Sequence, residues 1–382
     1  MVKKIFTALL FILCFPVLFL TVCGEELGIS AQSAIVIEKD SGRILYQKNA
    51  EKQLPMASTT KIMTAIIALE QGNPTEKIRI SPAAAAVEGS SMYLKEGEEF
   101  TLEELLYGLM LSSGNDAAVA IAEHLGGMNG FVEQMNQKAS VLGAVNTHFA
   151  NPNGLPDDTH YSTARDMAVI TAYCLNNPKF AEIAATKARQ ISGEGKAHPR
   201  SLTNHNKLLQ LCPGCIGVKT GFTKAAGRCL VSAAQRNGMT LICVTLNAPN
   251  DWNDHCSLYD AMFQTYRLQS VLQAGKLLGE IEISNSETTA LPISCPENFS
   301  YPLKENEHCV TALSLAPPLD APVSSGTEVG TITVRLGQED IASLPLKVCG
   351  SAEKQSEAKK FTQNLIRNFS MLCYGWLTLL NF

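Results

Sequence analysis

The chain has 382 residues, of which 46% are hydrophobic and 18% charged, and its net charge is −5. That length can bury a full core and suits two domains, and the composition excludes a disordered chain. Without a basic excess, nucleic acid is excluded as a partner.

In chain order, Lys3 and Lys4 precede an apolar run over 5–22, which ends at Cys23-Gly24-Glu25-Glu26. A basic start, an apolar centre and small residues at a polar boundary read as a secretory signal over 1–24, cleaved after Gly24. Two readings compete with it: a retained membrane anchor, and a lipoprotein acylated on Cys23, for which Val22 is bulky. In each case the rest of the chain is exported.

Two β-rich runs over 33–38 and 43–47 flank Lys39-Asp40-Ser41-Gly42 and predict a hairpin. Helical spacing of Ile62, Ala65, Ile66 and Leu69 predicts a buried helix over 58–71. Thr101-Leu102-Glu103-Glu104 is a capping box opening a helix to Leu111. After a break at Ser112-Ser113-Gly114-Asn115, Asp116 opens another helix to Leu125. The stretch 151–158 is a loop by composition, and Ser162-Thr163 caps a helix to about Cys174. Strand character returns near Lys219, and the runs 228–234 and 239–247 form a hairpin around Arg236-Asn237-Gly238.

The pattern predicts an α/β fold, more narrowly α+β. An antiparallel sheet with flanking helices and a helical insert occupies 25–268. Short β-rich runs separated by Pro and Ser/Gly clusters predict a small all-β domain over 269–350. A polar, solvated tether follows over 351–360. In 361–382, Phe361, Leu365, Phe369, Leu372 and Trp376 recur every three or four residues; that suits a helix packed back on the protein, but its terminal position behind a polar tether favours an interfacial helix anchoring the chain to a membrane surface.

The 12 cysteines are scattered, and only Cys212-Pro213-Gly214-Cys215 has a suggestive spacing. It runs into a strand rather than opening a helix, and no second ligand pair accompanies it. A structural disulfide or free thiols therefore fits better than redox or metal chemistry. No metal and no cofactor is expected.

The chemistry concentrates in an ordered triple: Ser58-Thr59-Thr60-Lys61, Ser113-Gly114-Asn115 and Lys219-Thr220-Gly221. Ser-x-x-Lys alone is weak, since it recurs at Ser351–Lys354 and Ser356–Lys359 in the tether. At a helix start, Ser58 has free N–H groups nearby, and Lys61 lies one turn on, within reach as a base. By itself the tetrapeptide is more often a capped helix with a surface lysine. Ser113 and Asn115 can point into a cleft, although alone they suit an ordinary interhelical turn. Lys219 and Thr220 on an edge strand offer a cation and a hydroxyl for a carboxylate. Gly221 permits close backbone approach, and the N–H groups of Ser58 and Phe222 can form an oxyanion hole.

In that order and context the motifs resemble the penicillin-recognising serine enzymes, in particular the penicillin-binding protein 5-like D-alanyl-D-alanine carboxypeptidases. The stretches 55–64, 111–118, 151–155 and 217–223 carry the resemblance. It implies that Ser58 attacks the carbonyl between the two terminal D-alanines of the peptidoglycan stem pentapeptide, with Lys61 as general base. Ser113 links the proton network toward Lys219, Asn115 orients the substrate amide, and Lys219 and Thr220 hold the terminal carboxylate. β-Lactam antibiotics would acylate the same serine. The implied location is the cell envelope, at the outer face of the cytoplasmic membrane.

Three rivals remain. A class A β-lactamase would carry Glu-x-x-x-Asn between the second and third motifs, and none of Glu123, Glu133, Glu182 or Glu194 is followed by such an asparagine. A DD-endopeptidase is poorly separated by sequence. An inactive stem-peptide-binding module is disfavoured by the intact triple.

Overall fold

The computed structural model describes residues 27–194 and 197–379; the signal and its cleavage point lie outside the described residues. A five-stranded antiparallel sheet forms the centre. Its spatial order is Ile44–Lys48, Ser33–Glu38, Met239–Leu246, Gly227–Arg236 and Cys215–Thr223. The first strand pairs with the last in sequence, with Ile35 opposite Val244, so the helical segment is an insert between the two ends of one sheet.

Alternation explains why the inner strands are buried on both faces. Ile35, Ile37, Val231 and Val244 face a helical layer with Ile62, Ile66, Leu106 and Phe149. Ala34, Val36, Leu230 and Cys243 face the helix Asp251–Thr265 through Leu258, Tyr259 and Met262. Both anticipated hairpins form, and Asn237 and Gly238 take the positive φ values of a two-residue turn, +50° and +79°. The Thr101–Glu104 capping box is present in full, and Thr163 caps Ala164–Cys174.

Two local differences bear on the site. The serine motif does not begin an α-helix: Ala57–Thr60 is a 3₁₀ turn, and the α-helix runs Lys61–Gln71. The helix after the second motif starts at Asn115 rather than Asp116, running Asn115–His124.

The second domain is a six-stranded sheet with a separate two-stranded ribbon of Tyr266–Leu272 and Phe299–Lys304. Its strands include Cys309–Leu315, Glu328–Leu336, Leu277–Ser284 and Glu339–Val348, together with Ala290–Ser294, which the composition did not signal. Arg43 in the first hairpin reaches across to it. Its guanidinium donates to both oxygens of Glu307 at 2.8 and 2.7 Å and lies 5.1 and 5.2 Å from the ring centres of Tyr266 and Tyr301.

The segment 351–355 is less of a tether than its charges suggest. Ala352 is buried and exchanges two 2.9 Å backbone hydrogen bonds with Val323, and Gln355 N donates to Asn285 O. The terminal helix begins inside the anticipated polar stretch and runs Glu357–Leu379.

Candidate active site

Ser58 sits in a turn that the rest of the site grips from several sides. Ala57 has a φ of +49°, a costly conformation for a residue with a Cβ. Thr59 Oγ1 donates to Met56 O and Thr60 Oγ1 to Ala57 O, at 2.7 and 2.8 Å. Gly154, at φ +86°, lies against the Ala57 carbonyl so closely that a Cβ there would sit 2.0 Å from the oxygen. On the sheet side, a Cβ on Gly221 would meet Met56 O, Ser58 N and Thr59 N at 3.1 Å. The Lys-Thr-Gly strand therefore abuts the serine turn directly.

Lys61 is fully buried. Its Nζ reaches three oxygens: Ser58 Oγ at 2.9 Å, Asn115 Oδ1 at 2.7 Å and Asn153 O at 2.6 Å. Burial, and then the charge of Lys219, hold its pKa well below the ordinary lysine value, with Asp116 opposing them. Lys219 is also buried, and burial pushes it down to about 7; its Nζ donates to Thr220 O at 3.0 Å.

Ser113 has φ +58° and lines the cleft; its hydroxyl has no protein hydrogen bond among the described residues. Asn115 is anchored at both ends of its amide, with Nδ2 donating to Glu88 O at 2.6 Å. That leaves one amide hydrogen uncommitted.

The cleft has a volume of about 640 Å³, and Ser58, Ser113, Thr220, Gly221 and Phe222 open onto it. It thus gathers members of all three motifs. The side chain of Phe222 is exposed, which suits a contribution from its backbone.

Sequence reasoning missed several residues that hold this arrangement. Asn153 supplies Lys61 with a main-chain oxygen, which no side-chain motif signals. Asp116 is buried and accepts from Ser91 Oγ at 2.6 Å, Met92 N at 3.1 Å and Leu94 N at 3.0 Å, fixing the loop that brings Ser90 to the cleft. His160 accepts from Ala150 N at Nδ1, so its Nε2 carries the hydrogen and donates to Thr60 Oγ1 at 2.7 Å; burial pushes this imidazole down to about 4.

Residues 21–250 match the D-alanyl-D-alanine carboxypeptidase family of peptidases, and residues 266–354 match the C-terminal domain of penicillin-binding protein 5. The chain belongs to the D-alanyl-D-alanine carboxypeptidase family. Among the relatives of this carboxypeptidase, the D-alanyl-D-alanine carboxypeptidase DacF of Bacillus subtilis is 34% identical over 84% of this chain and 86% of its own. DacA of Haemophilus influenzae is 32% identical over 84% of each chain. The crystal structure of penicillin-binding protein 5 from Haemophilus influenzae superposes with a TM-score of 0.72 at 29% identity, covering 85% of this chain and 98% of that one. The protein is accordingly a serine D-Ala-D-Ala carboxypeptidase, a penicillin-binding hydrolase acting on peptidoglycan peptides.

Proposed function

We propose that Ser58 is the nucleophile of this carboxypeptidase and Lys61 its general base, acting on the terminal D-Ala-D-Ala of stem pentapeptides. The observation that carries this reading is the set of three oxygens around Lys61 Nζ. Two of them, Asn115 Oδ1 and Asn153 O, can only accept hydrogen bonds. A neutral amine spends its two hydrogens on those two, and its lone pair then faces the Ser58 hydroxyl. Burial beside Lys219 favours that neutral form.

In the first step Lys61 takes the hydroxyl proton as Ser58 Oγ attacks the penultimate D-alanine carbonyl. The N–H groups of Ser58 and Phe222 receive the oxyanion. Lys219 and Thr220 hold the terminal carboxylate, Gly221 lets the substrate backbone approach, Asn115 orients the substrate amide with its spare hydrogen, and Ser113 carries a proton between Lys61 and Lys219. The peptide bond breaks as the leaving amine is protonated, D-alanine departs, and water hydrolyses the ester on Ser58. A β-lactam meets the same serine and leaves a slower ester.

The test is to incubate the full chain with a fluorescent penicillin and with a diacyl D-Ala-D-Ala peptide. We expect a covalent adduct on the Ser58 peptide by mass spectrometry. Ser58→Ala, folded by circular dichroism, should lose both labelling and D-alanine release; retention of either refutes the assignment.

We also infer that the domain over 25–268 does the chemistry, that 269–350 spaces it from the membrane, and that the terminal helix anchors it at the outer face of the cytoplasmic membrane. Phe361, Leu365, Ile366, Phe369 and Met371 are all exposed on that helix, an apolar surface that the folded domains leave uncovered. Among the described residues no helix is long and apolar enough to cross a membrane, which suits an in-plane anchor. Deleting 361–382 should move the protein from the membrane to the soluble fraction; unchanged association would refute the anchor.

A further inference from the structure

Behind the Lys-Thr-Gly strand, away from Ser58, three thiols share one apolar pocket. Cys212 is buried at the end of the short helix Leu208–Leu211, and Cys215 opens the strand Cys215–Thr223. Cys256 projects from the helix Asp251–Thr265, and the three pack in one cluster with Leu208, Leu258 and Tyr259. Their directions differ. Cys215 turns its thiol back on its own strand and donates to Gly217 O at 3.2 Å, whereas the thiol of Cys256 feels Cys212 more than any other side chain. Arg236 ties Cys212 to the helix of Cys256, donating to Cys212 Sγ at 3.6 Å and to Asp260 Oδ1, one turn beyond Cys256, at 2.8 Å.

We propose that Cys212 and Cys256 form a disulfide in the envelope, and that the Cys212-Pro213-Gly214-Cys215 spacing is incidental to it. An envelope enzyme meets an oxidising environment, and two thiols gathered in one apolar cluster are placed to bond there. The oxidant is a disulfide-bearing carrier. The Cys212 sulfur, its proton lost to solvent, attacks one carrier sulfur and expels a carrier thiol. The Cys256 sulfur then attacks Cys212 Sγ and expels the second. Two protein thiols are oxidised, and one carrier disulfide is reduced to two thiols. The same bond results if Cys256, the less buried of the two, attacks the carrier first.

The bond would join two walls of the catalytic cleft. The stretch just before Cys212 places Asn206, Lys207 and Gln210 on the cleft, and the helix of Cys256 places Asp251 and Trp252 there. The crosslink would hold the Lys-Thr-Gly strand against that helix without touching any residue assigned to the chemistry.

The experiment is thiol mapping of the full chain after incubation with oxidised glutathione, with free thiols blocked by N-ethylmaleimide before non-reducing digestion and mass spectrometry. We expect one crosslinked species joining the peptide of Cys212 and Cys215 to that of Cys256. It should persist in Cys215→Ser, vanish in Cys212→Ser and in Cys256→Ser, and raise Tm by several degrees relative to the dithiothreitol-treated wild-type protein. A bond within the Cys212–Cys215 peptide, a link that survives Cys212→Ser, or alkylated Cys212 and Cys256 in the oxidised wild type each overturns the proposal. The wild-type map decides the matter even if a variant does not fold. Its outcome is also independent of Ser58, which penicillin labelling tests separately.

Discussion

Lys61 Nζ lies 2.6 Å from the main-chain oxygen of Asn153, closer than its 2.9 Å separation from Ser58 Oγ. The proposed base is thus held by a backbone carbonyl in the 151–155 loop. Lys61→Arg, which stays protonated and cannot accept the Ser58 proton, should lower penicillin acylation by about 10²–10⁴-fold. Stopped-flow acylation rates check this, and an arginine variant within tenfold of wild type would remove Lys61 from the base role.

Gly154 is a second control on the same turn. Alanine there meets Ala57 O at 2.0 Å and has to hold φ +86°. We expect a loss of about 1–3 kcal/mol in stability from the backbone conformation alone. Displacing the serine turn by about 1 Å should cost on the order of 10²-fold in acylation. Denaturant melts and acylation rates on Gly154→Ala measure the two effects.

If Lys219 holds the substrate carboxylate as proposed, it sets the alkaline side of the pH profile. With its pKa near 7, it is cationic below that pH and neutral above it. The kcat/KM for a D-Ala-D-Ala peptide should therefore fall as pH rises through about 7. The limb should be weaker in kcat, because a bound carboxylate keeps the proton on. Lys219→Arg should shift the limb out of range; an unchanged limb would assign it to another group.

The same depression links Lys219 to stability. In the unfolded chain a lysine keeps its proton up to about 10.4, so between about 7 and 10.4 the unfolded state binds more protons than the native one. Its contribution therefore makes stability rise with pH across that window. Lys219→Met should melt higher than wild type at pH 6, with the gap closing toward pH 10. A variant that melts lower at both would mean that the buried amine stabilises the fold.

Arg43 and Glu307 bind the two domains together with little exposure to solvent. A double-mutant cycle with Arg43→Ala and Glu307→Gln should return a coupling of about 0.5–3 kcal/mol in thermal unfolding. Penicillin acylation should remain near wild type. A large change in acylation would mean that the second domain acts on the site itself.

Where local chemistry determines local structure, the sequence was readable. Thr101 and Glu104 satisfy each other's backbone donors, and Asn237-Gly238 supplies the positive φ of its hairpin, so both were legible from a few residues. The three motifs were legible as an inventory of groups. Their scaffolding was not: Asn153 acts through its main chain, and Asp116 through amides of a loop more than 20 residues away. The docking of Ala352 on Val323 rests on backbone pairing between distant segments, which charge composition cannot report. The ribbon strand Tyr266–Leu272 continues directly from a helix, so no turn residues marked its start.

The pairing of Ser33–Glu38 with Met239–Leu246 has a consequence for how the enzyme comes into being. Ser58 lies near the beginning of the chain, yet the strand that braces it, Cys215–Thr223, joins the sheet only through Gly227–Arg236 and Met239–Leu246. No nascent chain that stops short of Leu246 can hold Gly221 against Ser58 in this sheet. Closure of such distant contacts is intrinsically slow. Competence to be acylated should therefore arise late and all at once, and penicillin labelling during refolding offers a direct clock for completion of the domain.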